Sequence, residues 1–306
     1  MTFNKIKLTL ATIATFALVT TWSYFWDDNT ALEAAQRASS ERYLKSEMGN
    51  TRYQVFGDEN RPTIVLIHSF NGYLESWAPN IDSLVKAGYR VVAYDLWGRG
   101  LTSRPRVNLS LPVFRAQLGA LLNEIGAKRV ILMGSSFGCV VASDYALSYP
   151  DQVETLLLIG PAGWPSSQDS QFIHVPLVAD LAFHFFGKEL LRSIVEAYFY
   201  KEPAGWALDA WDKYATYPGF TRSALSTLRY APVTNYTDGW RKLGSLGKPT
   251  LFVWGKHDVS FPYTNTEKVA VLIPHAKVVG IEGAAHWVNI EKAAAVNAAV
   301  VEFLRQ

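Results

Sequence analysis

The sequence contains a single cysteine, Cys139, among 306 residues. An intrachain disulfide is therefore impossible, and so is a zinc or iron–sulfur site built from several thiolates. Excess charge is also scarce, because 29 lysines and arginines face 27 aspartates and glutamates, for a net charge of +2. A nucleic-acid-binding protein needs a basic face that neutralises phosphates, so we expect no nucleic-acid partner. Low-complexity tracts are missing as well, and the hydrophobic content of 49% predicts a large folded core.

The two excess positive charges lie just before an apolar segment. Lys5 and Lys7 are the only charged residues before Asp27, and residues 8–26 form an uncharged, mostly apolar run. As a helix this run would be about 28 Å long, close to the hydrocarbon thickness of a bilayer. Positive charge before the run predicts a single-pass membrane anchor at 1–28, with a cytoplasmic N-terminus and the remaining chain in the periplasm or a lumen. The alternative is a cleaved signal peptide, which would make the protein secreted.

From residue 50 onward, short apolar runs alternate with amphipathic segments of helical length. Residues 51–56 are strand-like, and the apolar runs are 63–67, 90–94, 130–133, 155–159, 250–254 and 277–281. Runs of this kind are typical of strands covered on both faces, and their alternation with helices predicts a parallel sheet in an α/β fold. Residues 164–235 have a helical pattern, many aromatic residues and no clear strand, and they are too many for a loop. We predict a stalk or linker at 29–49, a core of 50–163 and 236–306, and a helical lid at 164–235.

A serine in the middle of the chain has the sequence context of a nucleophile. Residues 134–138 (GSSFG) match G-x-S-x-G, with a predicted strand before the motif and a predicted helix after it. On such a sharp strand-to-helix turn the serine hydroxyl is exposed in strained backbone. We therefore predict that Ser136 is the nucleophile, since Ser135 occupies the variable position of the motif. The non-catalytic alternative is that Ser136 merely caps the helix.

A serine nucleophile requires a base and a carboxylate that orients the base, because a serine hydroxyl is too weakly acidic to attack unaided. In this kind of elbow the partners follow in the order serine, aspartate or glutamate, histidine. Asp258 directly follows the predicted strand at 250–254, and His286 follows the last predicted strand in a loop of small residues. We predict that Ser136, Asp258 and His286 form a catalytic triad. His257 could replace His286 only by breaking that order.

Two backbone N–H groups are predicted to bind the oxyanion that develops during attack. One belongs to Phe137, directly after the nucleophile. The other belongs to Phe70, in the loop after the strand at 63–67, with the N–H of Ser69 as the alternative. His68, at the start of that loop, is expected to have a structural role.

Together these motifs resemble those of the α/β-hydrolase fold family of serine hydrolases. The segments that carry the resemblance are HSFNG (68–72), DLWGRG (95–100), GSSFG (134–138), WGKHD (254–258) and AAHWVNIE (284–291). The resemblance covers residues 50–305 and implies an eight-stranded, mostly parallel sheet with a helical lid inserted after the sixth strand. With its N-terminal transmembrane helix, the chain is similar to membrane-bound monoacylglycerol lipases. The family's epoxide hydrolases and haloalkane dehalogenases use a carboxylate nucleophile, which Ser136 does not supply.

The predicted function is hydrolysis of carboxylic esters through an acyl-enzyme. The expected substrate is a small-molecule ester or lipid, such as a monoacylglycerol or a medium-chain ester. The predicted acyl pocket is lined by aromatic residues of the lid: Phe183, Phe186, Tyr198 and Trp206. Alternatives are a carbon–carbon bond hydrolase of ring-cleavage diketones, a cofactor-free perhydrolase, and a non-catalytic binding protein on the same fold. We expect no cofactor and no metal, and the sequence leaves the oligomeric state open.

Overall fold

The computed structural model describes residues 28–165 and 171–306, together with Thr12 and Thr15. The predicted anchor at 1–28 lies almost entirely outside these residues, so its transmembrane placement stays a prediction. Within the described residues, no helix is both long enough and apolar enough to cross a membrane.

An eight-stranded sheet forms the centre of the molecule. Its strands are β1 (Arg42–Ser46), β2 (Gly49–Phe56), β3 (Thr63–Ile67), β4 (Arg90–Tyr94), β5 (Val130–Ser135), β6 (Val153–Ile159), β7 (Thr250–Gly255) and β8 (Lys277–Ile281). Across the sheet they follow the order β1-β2-β4-β3-β5-β6-β7-β8. β2 pairs antiparallel with β1 and with β4, and all other pairs are parallel. The prediction of a mostly parallel, eight-stranded sheet is confirmed.

The central strands are buried on both faces, as their uninterrupted apolar sequences require. Every residue of β3 and of β5 is buried. Side chains that alternate along β3 enter two different cores, with Val65 and Ile67 on one face of the sheet and Ile64 and Leu66 on the other. A parallel pair of strands needs a crossover connection, and helical crossovers cover both faces.

Helices pack on both faces of this sheet. The described α-helices are α1 (Thr30–Ala38), α2 (Ala78–Lys86), α3 (Leu111–Glu124), α4 (Phe137–Ser148), α5 (Val178–Glu196), α6 (Gly205–Ala215), α7 (Phe220–Tyr230), α8 (Thr237–Leu246), α9 (Thr266–Leu272), α10 (Val288–Glu291) and α11 (Ala293–Leu304). On one face α4 contacts α3 and α8, and on the other face α2 contacts α11. The helix that follows the candidate nucleophile is therefore held between two others.

The folded body begins earlier than the sequence analysis predicts. Residues 29–49 are expected to be a stalk or linker outside the core, but β1 lies in this range and pairs along its whole length with β2. α1 also packs on the body, because Leu32 is 1% exposed and the Gln36 amide donates to the Leu101 carbonyl oxygen at 2.7 Å. The sequence of β1 is mostly polar because the strand lies at the edge of the sheet. It therefore lacks the apolar run by which the other strands are recognised.

The described chain between β6 and β7 is helical and contains no strand. α5, α6 and α7 contact one another, and α8 then joins the helical layer beside α4. The segment predicted as a lid, 164–235, ends just before α8. The role of α5 to α7 as a lid stays a prediction.

Candidate active site

Ser136 lies in strained backbone at the turn between β5 and α4. Its φ of 53° and ψ of −116° fall in a region that residues other than glycine rarely adopt. The turn requires glycine on both sides, because a Cβ on Gly134 would collide with the backbone of Gly138, and one on Gly138 would collide with the carbonyl oxygen of Ile67. The Ser136 N–H donates to the Ile159 carbonyl oxygen at 2.9 Å. These contacts hold the hydroxyl at the carboxyl edge of the sheet.

Ser136, His286 and Asp258 form one continuous hydrogen-bonded chain. The Nε2 atom of His286 is 2.8 Å from Ser136 Oγ, and its Nδ1 atom is 2.7 Å from Asp258 Oδ2. All three side chains are buried. Each follows a different strand, β5, β7 or β8, at the edge where α/β sheets place functional groups. The structure thus brings together three residues that are far apart in the sequence and that the sequence analysis groups by their order.

The Asp258 carboxylate is fixed from two sides. Its Oδ1 atom accepts the backbone N–H groups of Ser260 at 2.8 Å and Phe261 at 2.9 Å, while Oδ2 faces His286. A carboxylate only accepts, so the His286 Nδ1 atom must donate to it. That tautomer leaves Nε2 without a proton and able to accept the hydrogen of Ser136. The arrangement can therefore remove a proton from the serine hydroxyl.

Both predicted oxyanion donors are available. Among the described residues, the backbone N–H groups of Phe70 and Phe137 have no hydrogen-bond acceptor. For Phe137 this follows from its place in the first turn of α4, where N–H groups lack an intrahelical partner. The Ser69 N–H also has no acceptor in the described chain. The choice between Phe70 and Ser69 as the second donor therefore stays open.

His68 is enclosed beneath the loop that follows β3. Its Nδ1 atom donates to the Ser69 carbonyl oxygen at 2.8 Å, and its Nε2 atom accepts the Leu96 N–H at 2.9 Å. The ring therefore joins the loop after β3 to the loop after β4. Burial lowers the pKa of His68 to about 3, so the ring is neutral at neutral pH. This environment fits the expected structural role.

The low pKa of His68 should make the fold less stable in acid. Its pKa of about 3 in the folded state lies below the value of about 6.5 for an unfolded chain. As the pH falls between these values, only the unfolded state gains the proton, and each pH unit removes up to about 1.4 kcal/mol from the free energy of unfolding. We expect His68→Gln to flatten this decline in urea unfolding measured from about pH 6.5 to about pH 4.5. The exposed His275 supplies the control, since His275→Gln should keep the wild-type slope. Equal slopes in all three proteins would contradict the assignment.

Aromatic side chains surround the histidine. The ring of Tyr198, which the sequence analysis assigns to the acyl pocket, lies 4.7 Å from the His286 ring, and the ring of Phe261 lies 5.6 Å away. The indole N–H of Trp287 donates to Ser69 Oγ at 3.0 Å. This bond ties the loop with the second oxyanion donor to the residue after the histidine. Sequence reasoning missed the link because its two ends belong to distant motifs.

The other three residues predicted for the acyl pocket are placed differently. Phe183 packs against Ala179 and Leu225 inside the helical segment, so it belongs to the core of that segment. Phe186 is 69% exposed. Trp206 lines an open surface depression of about 410 Å³. α5 carries apolar residues around most of its circumference, and for this reason its sequence did not reveal which face turns inward.

Within the described part of the chain, no group of three or more His, Cys, Asp or Glu side chains is arranged to hold a metal ion. Cys139 is buried, and its thiol donates to the Gly134 carbonyl oxygen at 3.2 Å. Burial raises the pKa of this thiol, which disfavours the nucleophilic thiolate.

The sheet, the strained serine turn and the buried serine–histidine–aspartate chain define an α/β hydrolase. Comparison with known proteins places the chain in the same class. The family model described as the alpha/beta hydrolase fold matches residues 62–293. The chain therefore belongs to the α/β-hydrolase fold family, and it is a hydrolase.

Known relatives of the chain carry out different reactions. Epoxide hydrolase A of Mycobacterium tuberculosis is 27% identical, with 87% of this chain and 98% of the relative covered. A 2-hydroxy-6-oxo-6-phenylhexa-2,4-dienoate hydrolase of Comamonas testosteroni is 25% identical, with 79% and 87% covered. Among solved structures, an enol-lactonase from Burkholderia xenovorans LB400 shares the fold with a TM-score of 0.74 at 23% identity, covering 87% of this chain and 100% of that one. The comparisons establish the fold and the hydrolase class without selecting one substrate.

Proposed function

We propose that this hydrolase cleaves carboxylic esters through a covalent acyl-enzyme on Ser136. The observation that carries the proposal is the chain from Ser136 Oγ to His286 at 2.8 Å and from His286 to Asp258 at 2.7 Å. A serine hydroxyl bonded to an imidazole that can accept its proton becomes nucleophilic as it attacks a carbonyl carbon. The buried carboxylate then stabilises the imidazolium that forms.

The first half of the reaction forms the acyl-enzyme. Ser136 Oγ bonds to the carbonyl carbon while its proton moves to His286 Nε2, and the carbonyl oxygen takes up the negative charge. The N–H groups of Phe137 and of Phe70 or Ser69 bind this oxyanion. When the intermediate collapses, the ester C–O bond breaks and the leaving alcohol takes the proton from His286. In the second half, water attacks in the same way and releases the acid.

The reaction of the epoxide hydrolase relative does not transfer to this site. If Ser136 attacked an epoxide carbon, the product would be an ether on the serine oxygen. An ether has no carbonyl carbon for water to attack, so the same residues could not release it. A carboxylate at position 136 would instead form an ester that water can cleave. This chemistry favours carbonyl substrates for the present chain.

A lipid-like ester is the substrate class that the helical segment favours. Val178, Phe186, Leu190 and Ile194 are exposed apolar side chains on α5. A cluster of exposed apolar residues is uncommon on a soluble monomer and typically marks an interaction surface. These exposed apolar side chains of the helical segment suit an amphiphile such as a monoacylglycerol or a medium-chain ester.

Chain-length preference tests the lipid-like substrate. Each buried methylene contributes about 0.8 kcal/mol, so kcat/KM for p-nitrophenyl esters should rise at least about tenfold from acetate to octanoate. The measurement is the initial rate of p-nitrophenol release over the series, with Ser136→Ala as the blank. Activity confined to the acetate and propionate esters would exclude a lipid-like substrate but would still agree with esterase activity.

Hydrolysis of a carbon–carbon bond is the second candidate. Two curated relatives, at 25% and 27% identity, are named as hydrolases of 2-hydroxy-6-oxo-dienoates or related dienedioates. In such a substrate the bond broken is also adjacent to a carbonyl group, so the same serine and histidine could serve. Turnover of a vinylogous diketone, with none of any p-nitrophenyl ester, would favour this second reaction over the first.

A further inference from the structure

Arg99 is a buried cation without a carboxylate partner in the described chain. Its side chain is 2% exposed. Nε donates to the Phe70 carbonyl oxygen at 2.5 Å, and Nη1 donates to the Gly98 carbonyl oxygen at 3.3 Å. Nη2 donates to no acceptor among the described residues. The hydrogen bonds of this guanidinium to described residues therefore go only to two neutral carbonyl groups.

Arg52 shows how the same fold treats another buried guanidinium. It is equally buried, and its terminal nitrogens form ion pairs with Glu41 at 2.9 Å, Glu75 at 2.6 Å and Asp95 at 3.4 Å. An unpaired buried charge costs several kcal/mol, which explains why such groups are usually paired. Unlike Arg52, Arg99 has no carboxylate partner among the described residues.

Arg99 remains charged at neutral pH. Burial and the nearby Arg104 cation lower the pKa of Arg99 to about 9, and Tyr198 acts in the opposite direction. The guanidinium is therefore a desolvated positive charge beside a second one. Both features strengthen its attraction for an anion.

The guanidinium lies beside the candidate active site. The residue whose carbonyl it binds, Phe70, is one of the two candidates for the second oxyanion donor. The Arg99 guanidinium carbon is also 4.8 Å from the Phe70 ring centre and 5.8 Å from the ring centre of Phe220 on α7. Tyr198 is close enough to influence its pKa and also contacts the His286 ring. The guanidinium is therefore in direct contact with the loop that carries the candidate oxyanion donors.

We propose that Arg99 is an anion subsite, and that the natural substrates carry a carboxylate in addition to the bond that is cleaved. A guanidinium binds a carboxylate through two parallel N–H···O bonds, and Nη1 and Nη2 retain the hydrogens for this. The bound carboxylate would supply the counter-charge that the fold lacks at this position. The proposal rests on the proposed function of Ser136, and among esters it selects those that carry a carboxylate over neutral ones such as a monoacylglycerol.

Paired substrates test the subsite by turnover. Mono-p-nitrophenyl adipate, pimelate and suberate are compared with p-nitrophenyl hexanoate, heptanoate and octanoate. A second pair, 4-butyryloxybenzoate and its methyl ester, places the carboxylate on the alcohol side. In the wild type, kcat/KM should be at least about tenfold higher for a carboxylate-bearing member than for its neutral partner.

Variants separate charge recognition from a merely structural role. Arg99→Met should remove the preference for the carboxylate-bearing ester, and Arg99→Lys should keep part of it. If Arg99 only supports the loop, both members of each pair should lose activity equally. Arg115→Met is the control, because Arg115 lies on α3 and pairs with Asp144, and its preference should match the wild type. If Arg99→Met does not fold, the subsite is tested by the carboxylate preference of the wild type and by its partial loss in Arg99→Lys.

Binding without turnover separates this proposal from the proposed function. In Ser136→Ala, calorimetry should show monomethyl adipate binding at least about tenfold more tightly than dimethyl adipate, and Arg99→Met should remove the difference. If the protein binds the carboxylate-bearing ligand more tightly but cleaves no ester, the proposed esterase activity is overturned and the anion subsite is retained. Ester cleavage without carboxylate preference in either assay would overturn the anion subsite alone.

Discussion

Replacing Ser136 with alanine should reduce kcat/KM for the preferred ester by at least about 10⁴-fold. The alanine leaves no oxygen 2.8 Å from His286 Nε2 that could form the acyl-enzyme. Only the weaker contribution of the oxyanion donors and of substrate binding would remain. The measurement is steady-state hydrolysis together with labelling by a fluorophosphonate, which reacts with an activated serine and should label the wild type alone.

Ser135 is the matched control for this experiment. It is the adjacent residue and is also buried, but its hydroxyl has no hydrogen-bond partner in the described chain. Ser135→Ala removes the same atom one position away, and it should retain activity within a few-fold and full labelling. If Ser136→Ala kept its activity, the acyl-enzyme on Ser136 would be rejected. If the wild type neither labelled nor hydrolysed any ester, a non-catalytic binding protein would become the better interpretation.

Changing Asp258 to asparagine should lower kcat by about 10⁴-fold with little change in the fold. The new amide can keep its oxygen on the N–H groups of Ser260 and Phe261, which Oδ1 of Asp258 accepts. Its NH₂ group then faces His286 Nδ1, where the aspartate accepts a hydrogen bond at 2.7 Å. The imidazole must respond by carrying its proton on Nε2. In that tautomer it cannot accept the proton of Ser136.

The neighbouring His257 provides the control for this second change. Its Nε2 atom is 2.9 Å from Glu282 on the surface, and it precedes Asp258 in the same loop. His257→Gln perturbs this loop without touching the buried chain, so kcat should stay within a few-fold of the wild type. Equal thermal unfolding midpoints for Asp258→Asn and the wild type would show that the loss is catalytic. A decrease of less than tenfold for Asp258→Asn would contradict the assigned role.

The relatives illustrate why the fold alone leaves the reaction open. An epoxide hydrolase, a dienoate hydrolase and an enol-lactonase share this architecture with the present chain. The sheet presents the ends of several strands at one edge, and different residues on the loops there support different reactions. For this chain, the proposed reaction depends on the serine at position 136, and the proposed substrate class depends on Arg99.

The strands of the sheet were predictable where burial is complete. β3 and β5 are covered on both faces, so their sequences are apolar throughout and their type can be read locally. β1 was not predicted, because an edge strand with exposed residues at both ends needs few apolar side chains. Its identity comes from pairing with β2, which is not visible in its own residues.

The sequence by itself determined the nucleophile motif and the order of Ser136, Asp258 and His286. These features depend on glycines and apolar runs within a few residues of each functional side chain. Such local requirements can be recognised in the sequence alone. Only the tertiary structure decided that Tyr198 reaches the histidine, that Ser69 bonds Trp287, and that Arg99 has no carboxylate partner among the described residues. Each of these depends on which distant segments meet and at what distance. The physical reason is that side-chain contacts and counter-charges come from residues far apart in the chain, which packing alone brings together.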